Sequence, residues 1–97
     1  MSRKTIRWTK RALRRLGEIG AHIEKDSPEA AARVIGRLLS AAELLTEQPA
    51  MGRVGRIKAT RELVLADIPY IVPYRVSEDA VEILTVIHAA QQWPKSL

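Results

Sequence analysis

Residues 61–88 read RELVLADIPYIVPYRVSEDAVEILTVIH, and this stretch decides the fold. β-Branched and aromatic residues crowd three segments, 61–66, 70–76 and 81–88, which predicts three strands. Asp67-Ile68-Pro69 and Ser77-Glu78-Asp79-Ala80 carry the residues that favour tight turns, so the strands form an antiparallel meander. Pro73 lies inside the middle segment and has no N–H to give to a ladder. It predicts a bulge or a locally unpaired edge there.

Working backwards from residue 61, residues 49–58 hold Gly52, Gly55 and the cations Arg53, Arg56 and Lys58. This composition predicts a loop or an irregular strand that leads into the sheet. Before it, Ala31, Val34, Ile35, Leu38, Ala42 and Leu45 recur at helical spacing. Ser27 followed by Pro28 marks the start of that helix, because serine caps and proline suits the first helical position. Pro49 predicts its end near Gln48. Earlier still, Ala12, Leu16, Ile19 and Ile23 form a second apolar stripe. Its cations Lys10, Arg11, Arg14 and Arg15 lie on the other faces, its cap is Thr9, and it ends before Pro28. The short connection predicts an antiparallel helical hairpin. Residues 5–8 form a first strand able to join the sheet, with Trp8 packed in the core. The tail, 89–97, places Trp93 to cap the sheet. The order is β-α-α-β-β-β: an α+β chain with a helical hairpin packed on a small, mainly antiparallel sheet.

With 97 residues, the chain fits one domain, 1–97. Its formal net charge of +5 favours acidic partners such as nucleic acid or an acidic protein. There is no cysteine, which excludes disulfides, thiol nucleophiles and zinc–thiolate sites. His22 and His88 lie far apart in sequence, so no metal site is expected. Nothing in the pattern calls for a cofactor. No apolar run approaches a membrane span, and the basic N-terminus lacks an apolar signal core. The expected location is the cytoplasm, with no membrane partner.

Arg53, Arg56, Lys58 and Arg61, interleaved with glycines that let a ligand approach the backbone, are the candidate residues for binding nucleic acid or another target. The meander also places Arg61, Glu62, Tyr74, Arg75 and His88 on adjacent strands. Such a set can in principle cleave RNA. A base takes the 2′-hydroxyl proton, arginine stabilises the phosphorane, and an acid protonates the leaving 5′-oxygen. The same residues also have structural readings. Tyr74 alternates with valines as core residues do, Glu62 can pair with a neighbouring arginine, and His88 can be a hydrogen-bonded strand end. Alternation sets Arg61, Leu63 and Leu65 on one face and Glu62, Val64 and Ala66 on the other.

Taken in order, several short motifs resemble the RelE/ParE toxins of type II toxin–antitoxin systems over nearly the whole chain. They are Ile6-Arg7-Trp8, Pro49-Ala50-Met51-Gly52-Arg53, Thr60-Arg61-Glu62-Leu63-Val64, Pro69-Tyr70-Ile71-Val72, Tyr74-Arg75-Val76, Val81-Glu82-Ile83-Leu84, Val86-Ile87-His88 and Gln92-Trp93-Pro94. The resemblance implies one of two activities: inhibition of DNA gyrase, as in ParE-like members, or messenger RNA cleavage in the ribosome, as in RelE-like members. It also implies a cognate antitoxin bound in a hetero-oligomer, operator DNA contacted through that antitoxin, and growth inhibition of the plasmid-stabilization kind. In this comparison Arg61 stands as the early-strand arginine, Tyr74 as the mid-sheet tyrosine and His88 as the polar residue ending the last strand. Active nucleases often carry an arginine where this chain has Ile71, and a tyrosine or basic residue where Ala89 and Ala90 follow His88. The expectation is therefore a ParE-like toxin. The alternatives are a RelE-like endoribonuclease and a non-toxic basic nucleic-acid-binding module.

Overall fold

A short edge strand, β1 (Thr5–Trp8), opens the fold in the computed structural model, which describes residues 3–97. Met1 and Ser2, which begin the basic N-terminal segment, lie outside the described residues. Thr9 ends β1 and caps α1 (Lys10–Glu24), its hydroxyl accepting the Ala12 N–H at 3.0 Å. Ser27 caps α2 (Pro28–Leu44) in the same way through Ala30 N–H at 3.1 Å, with Pro28 in the first turn. Helix α2 stops at Leu44 rather than near Gln48. Its last turn tightens, with Leu45 N–H donating to Ala42 O at 3.0 Å and the Thr46 hydroxyl donating to Glu43 O at 2.7 Å.

The second half forms β2 (Arg53–Val54), β3 (Arg61–Val64), β4 (Tyr70–Val76), β5 (Ala80–Ile83) and β6 (Ile87–His88). The sheet order is β1-β5-β4-β3-β2, with β6 also on β4. β1 runs parallel to β5, and the other pairs are antiparallel. Both apolar helix stripes land where their spacing predicts. Ala12, Ile19, Val34, Leu38, Ala42 and Leu45 meet Leu63, Leu65, Tyr70, Val72, Tyr74, Val81, Ile83 and Val86 in one core. Leu16, Ile23, Ile35 and Trp8 pack against its rim. Leu38 is fully buried, so truncating it to alanine costs about 2–5 kcal/mol.

The expected strand 81–88 is not continuous. Tyr74 opposes Ile83 and Val76 opposes Val81, yet Tyr70 opposes His88 and Ile71 opposes Ile87. The register therefore steps by one residue across Pro73, as a bulge requires. Pro73 has no N–H to donate there, and its carbonyl accepts the Leu84 N–H at 3.0 Å. The carbonyls that leave the ladder find partners on α1. The Thr9 hydroxyl donates to Leu84 O at 3.0 Å, and Arg15 Nε donates to Val86 O at 3.1 Å. The break in the strand thus fixes the start of α1 against the sheet.

Candidate target-binding face

Strand register distributes the candidate residues. Arg61 opposes Tyr74 and, across β4, Tyr74 opposes Ile83, so these side chains share the face that the helices cover. Glu62 opposes Pro73 and Arg53, and Arg75 opposes Glu82, all on the other face. His88 opposes Tyr70, four residues along β4 from Tyr74, roughly 13 Å away at strand spacing. The structure does not bring Arg61, Glu62, Tyr74, Arg75 and His88 around one point.

Each of the five already has a local role. Tyr74 is fully buried. Its hydroxyl accepts the Gly52 N–H at 2.8 Å and donates to Pro49 O at 2.7 Å, which ties the loop before β2 to the sheet. Burial pushes this phenol above its ordinary pKa. The Gly52 hydrogen bond and the Arg61 charge work in the opposite direction. A side chain at Gly52 would collide with the ring, since a Cβ there lies 2.6 Å from the Tyr74 hydroxyl oxygen. Arg61 Nη1 donates to Gly52 O at 2.7 Å and fastens the same loop. Arg75 is exposed and lies 3.7 Å from Glu82.

Glu62 is 2% exposed, although the sequence also allowed a surface role. Its partners are not Arg61 but Arg53, whose Nε donates at 2.9 Å, and Arg56, whose backbone N–H donates at 2.8 Å. The Arg56 guanidinium stands 3.9 Å away. The carboxylate therefore holds two half-exposed arginines side by side at the β2 edge. Lys58 sits exposed at the tip of the β2–β3 loop. Of the four expected binding cations, Arg53, Arg56 and Lys58 share this corner, while Arg61 turns beneath it toward the opposite face.

His88 borders a groove of about 630 Å³ lined by Arg15, Ile19, His22, Tyr70 and Gln91. Its ring stands edge-on to Tyr70, with centroids 5.2 Å apart, and its Nδ1 accepts the Ala90 N–H at 3.1 Å. Both histidines of the chain border this groove, although they lie far apart in sequence. Among the described residues, no three His, Asp or Glu side chains gather as a metal site would require. No described helix is long and apolar enough to cross a membrane.

Two contributors were not named as site residues from the sequence. Arg11 and Arg15 contact the C-terminal tail, through Ser96 O at 3.3 Å and Gln91 Oε1 at 3.1 Å. A signal for them was present. Lys10, Arg11, Arg14 and Arg15 crowd the start of α1, where the helix dipole favours acids, and its first turn has no acidic residue. Such a placement is unfavourable for the helix by itself.

The ParE toxin family of the type II toxin–antitoxin system parDE matches residues 6–93. Y4kP of Sinorhizobium fredii, named as a toxin, is 72% identical over 97 residues, covering all of both chains. The toxin RelE2 of Caulobacter vibrioides is 42% identical over 84 residues, 87% of this chain and 93% of its own. Among solved structures, the chromosomal ParDE system from P. aeruginosa contains a chain of the same fold. The TM-score is 0.80 at 24% identity, covering 88% of this chain and 95% of that one. The toxin–antitoxin complex RelBE2 from Mycobacterium tuberculosis gives a TM-score of 0.67 at 26% identity, covering 94% and 97%. With a family match across nearly its whole length and a full-length relative named as a toxin, this chain belongs to the ParE toxins of type II toxin–antitoxin systems, within the RelE/ParE superfamily.

Proposed function

We propose that this toxin inhibits growth by binding a macromolecular target, DNA gyrase in the ParE-like manner, and not by cleaving RNA. The observation that carries the reading is the dispersal of the candidate acid, base and arginines. A metal-free nuclease needs them within reach of one phosphodiester. Here the Tyr74 hydroxyl is enclosed between Gly52 and Pro49, the Glu62 carboxylate is taken by Arg53 and Arg56, and His88 lies at the far end of β4. Membership of a toxin family displaces the reading as a non-toxic nucleic-acid-binding module. A cognate antitoxin, acidic in the segment that covers this basic chain, neutralises the toxin in a hetero-oligomer. It also carries the complex to operator DNA, and both proteins act in the cytoplasm.

The second reading, a RelE-like messenger RNA endoribonuclease, draws on the relative named RelE2 and on the open groove beside His88. Inducible expression of the wild type and His88→Gln, with messenger RNA integrity and DNA supercoiling followed together, separates the two. The expected result is that both proteins arrest growth and alter supercoiling while transcripts stay intact. Loss of toxicity in a folded His88→Gln variant, with transcript cleavage only in the wild type, would install the nuclease reading instead.

A further inference from the structure

The break in the last strand borders a cleft of about 230 Å³ beside α1. Arg11, Arg14, Arg15 and Glu18 lie three and four residues apart, so α1 presents all four to this cleft from one face. Thr85 and Gln91 line it from the other side. Arg15 is already committed: its guanidinium donates to Val86 O and Gln91 Oε1 and stands 3.7 Å from Glu18. Arg11 and Arg14 have no carboxylate partner among the described residues. Arg11 gives one N–H to Ser96 O at 3.3 Å, and Arg14 is exposed.

Thr85 is 4% exposed and is pinned on both sides, where the Thr9 hydroxyl holds Leu84 O and Arg15 Nε holds Val86 O. Its own hydroxyl meets no hydrogen-bond partner among the described residues. No polar side-chain atom of these residues is both sealed and unpaired, so this hydroxyl opens on the cleft that it lines. The Gln91 oxygen accepts from Arg15 and from the His88 N–H, which leaves its NH2 group to donate.

We propose that this cleft binds the phosphate group of a phosphomonoester. The groups left unused are two guanidinium forks, an amide NH2 and a hydroxyl free to donate. They approach from a helix on one side and from the strand break on the other. A carboxylate offers two oxygens in one plane, whereas a terminal phosphate offers three strong acceptors in three directions. With Glu18 beside Arg15, the charges of Arg11 and Arg14 remain, and a phosphate near its dianion balances them. The start of α1 adds the positive end of its dipole, and its first turn holds no acid. The cleft is smaller than the roughly 300–1,000 Å³ that encloses a whole small ligand, so the rest of the ester extends into solvent. None of these donors has to leave its present partner, and the tail stays in place. The site is independent of the gyrase target.

The test titrates the full chain at fixed ionic strength with inorganic phosphate, thymidine 5′-monophosphate and the dinucleoside phosphodiester TpT, following the amide NMR signals of Thr85 and of the first turns of α1. Saturable shifts at these amides are expected with the first two probes. Equal affinity for both identifies free phosphate as a sufficient ligand, and tighter binding of the nucleotide assigns the site to the ester. TpT, with no terminal phosphate, should bind at least about tenfold more weakly. Thr85→Val removes a donor without changing charge and should weaken phosphate binding by roughly tenfold or more, while Thr85→Ser should bind as the wild type does. Arg14→Ala should weaken it by a similar factor, whereas Arg33→Ala, which removes an exposed cation from α2, should leave it unchanged. The two arginine variants carry the comparison if Thr85→Val is poorly folded. Absence of saturable shifts, TpT bound as tightly as the monoester, unchanged affinity in folded Thr85→Val, or equal losses in Arg14→Ala and Arg33→Ala overturns the proposal.

Discussion

Replacing Tyr74 by phenylalanine removes one oxygen atom and leaves the ring packed as before. The hydroxyl joins two backbone groups of the loop before β2, the Gly52 N–H and the Pro49 carbonyl. Gly52 is buried, so its N–H gains no water in exchange, and a buried donor left unpaired costs about 1–3 kcal/mol. Pro49 is partly exposed, and solvent recovers some of its loss. The sum is about 2–3 kcal/mol, which for a domain of this size lowers Tm by roughly 10–20 °C. Amide exchange at Gly52 should accelerate more than that of the β4 core. The sign of the pH dependence follows from the raised pKa of Tyr74. A group whose folded pKa lies above its unfolded value contributes stability that is fully present below the unfolded pKa, near 10, and is lost as pH rises through the folded value. The wild type should therefore lose stability above about pH 10 more steeply than Tyr74→Phe does. Thermal and chemical unfolding of both proteins between neutral and alkaline pH measure all of this. A Tm change below about 3 °C, with Gly52 exchange unaltered, would refute the argument that this hydroxyl fastens the loop.

Other perturbations test neighbouring pieces of the same reasoning. Glu62→Gln keeps an acceptor for the Arg56 N–H but removes the charge facing Arg53 and Arg56. Stability in urea should fall by about 1–3 kcal/mol, and an unchanged midpoint would show that the buried carboxylate does not organise the corner. Ala59 has a φ of 63°, a left-handed conformation that favours glycine. Ala59→Gly should stabilise the β2–β3 loop by about 0.5–1 kcal/mol, and a loss of stability in the same assay would count against that backbone geometry. The Arg37 guanidinium hydrogen-bonds Asp67 at 2.7 Å and holds its carboxyl below the ordinary carboxylate range. Any stability from this exposed pair is present above the unfolded Asp pKa and is lost as pH falls through the lowered value. Carboxyl-carbon NMR titration should show Asp67 returning to its ordinary value in Arg37→Ala, whereas an unshifted titration would deny the contact in solution.

The sequence by itself determined most of the fold, because the signals that set it are local. Thr9 and Ser27 announce their helices through cap chemistry, and the two apolar stripes announce their buried faces through period. Pro73 announces a bulge or an unpaired edge because it has no proton to donate. Alternation even showed that Arg61 and Glu62 point to opposite faces. The sequence could not show which of those faces the helices cover, or how far the pairing carries His88 from Tyr74. Both depend on long-range strand register, and a single-residue step across Pro73 divides the last strand. Proximity along the chain suggested one cationic loop and one catalytic cluster. The tertiary structure kept Arg53, Arg56 and Lys58 at one corner but dispersed the cluster: it enclosed the Tyr74 hydroxyl, turned Glu62 inward against Arg53 and Arg56, and joined Arg11 to Ser96 and Arg15 to Gln91 from opposite ends of the chain. Contacts between residues some eighty positions apart leave no periodic trace in sequence, because each is fixed by where the two elements dock and not by the spacing within either.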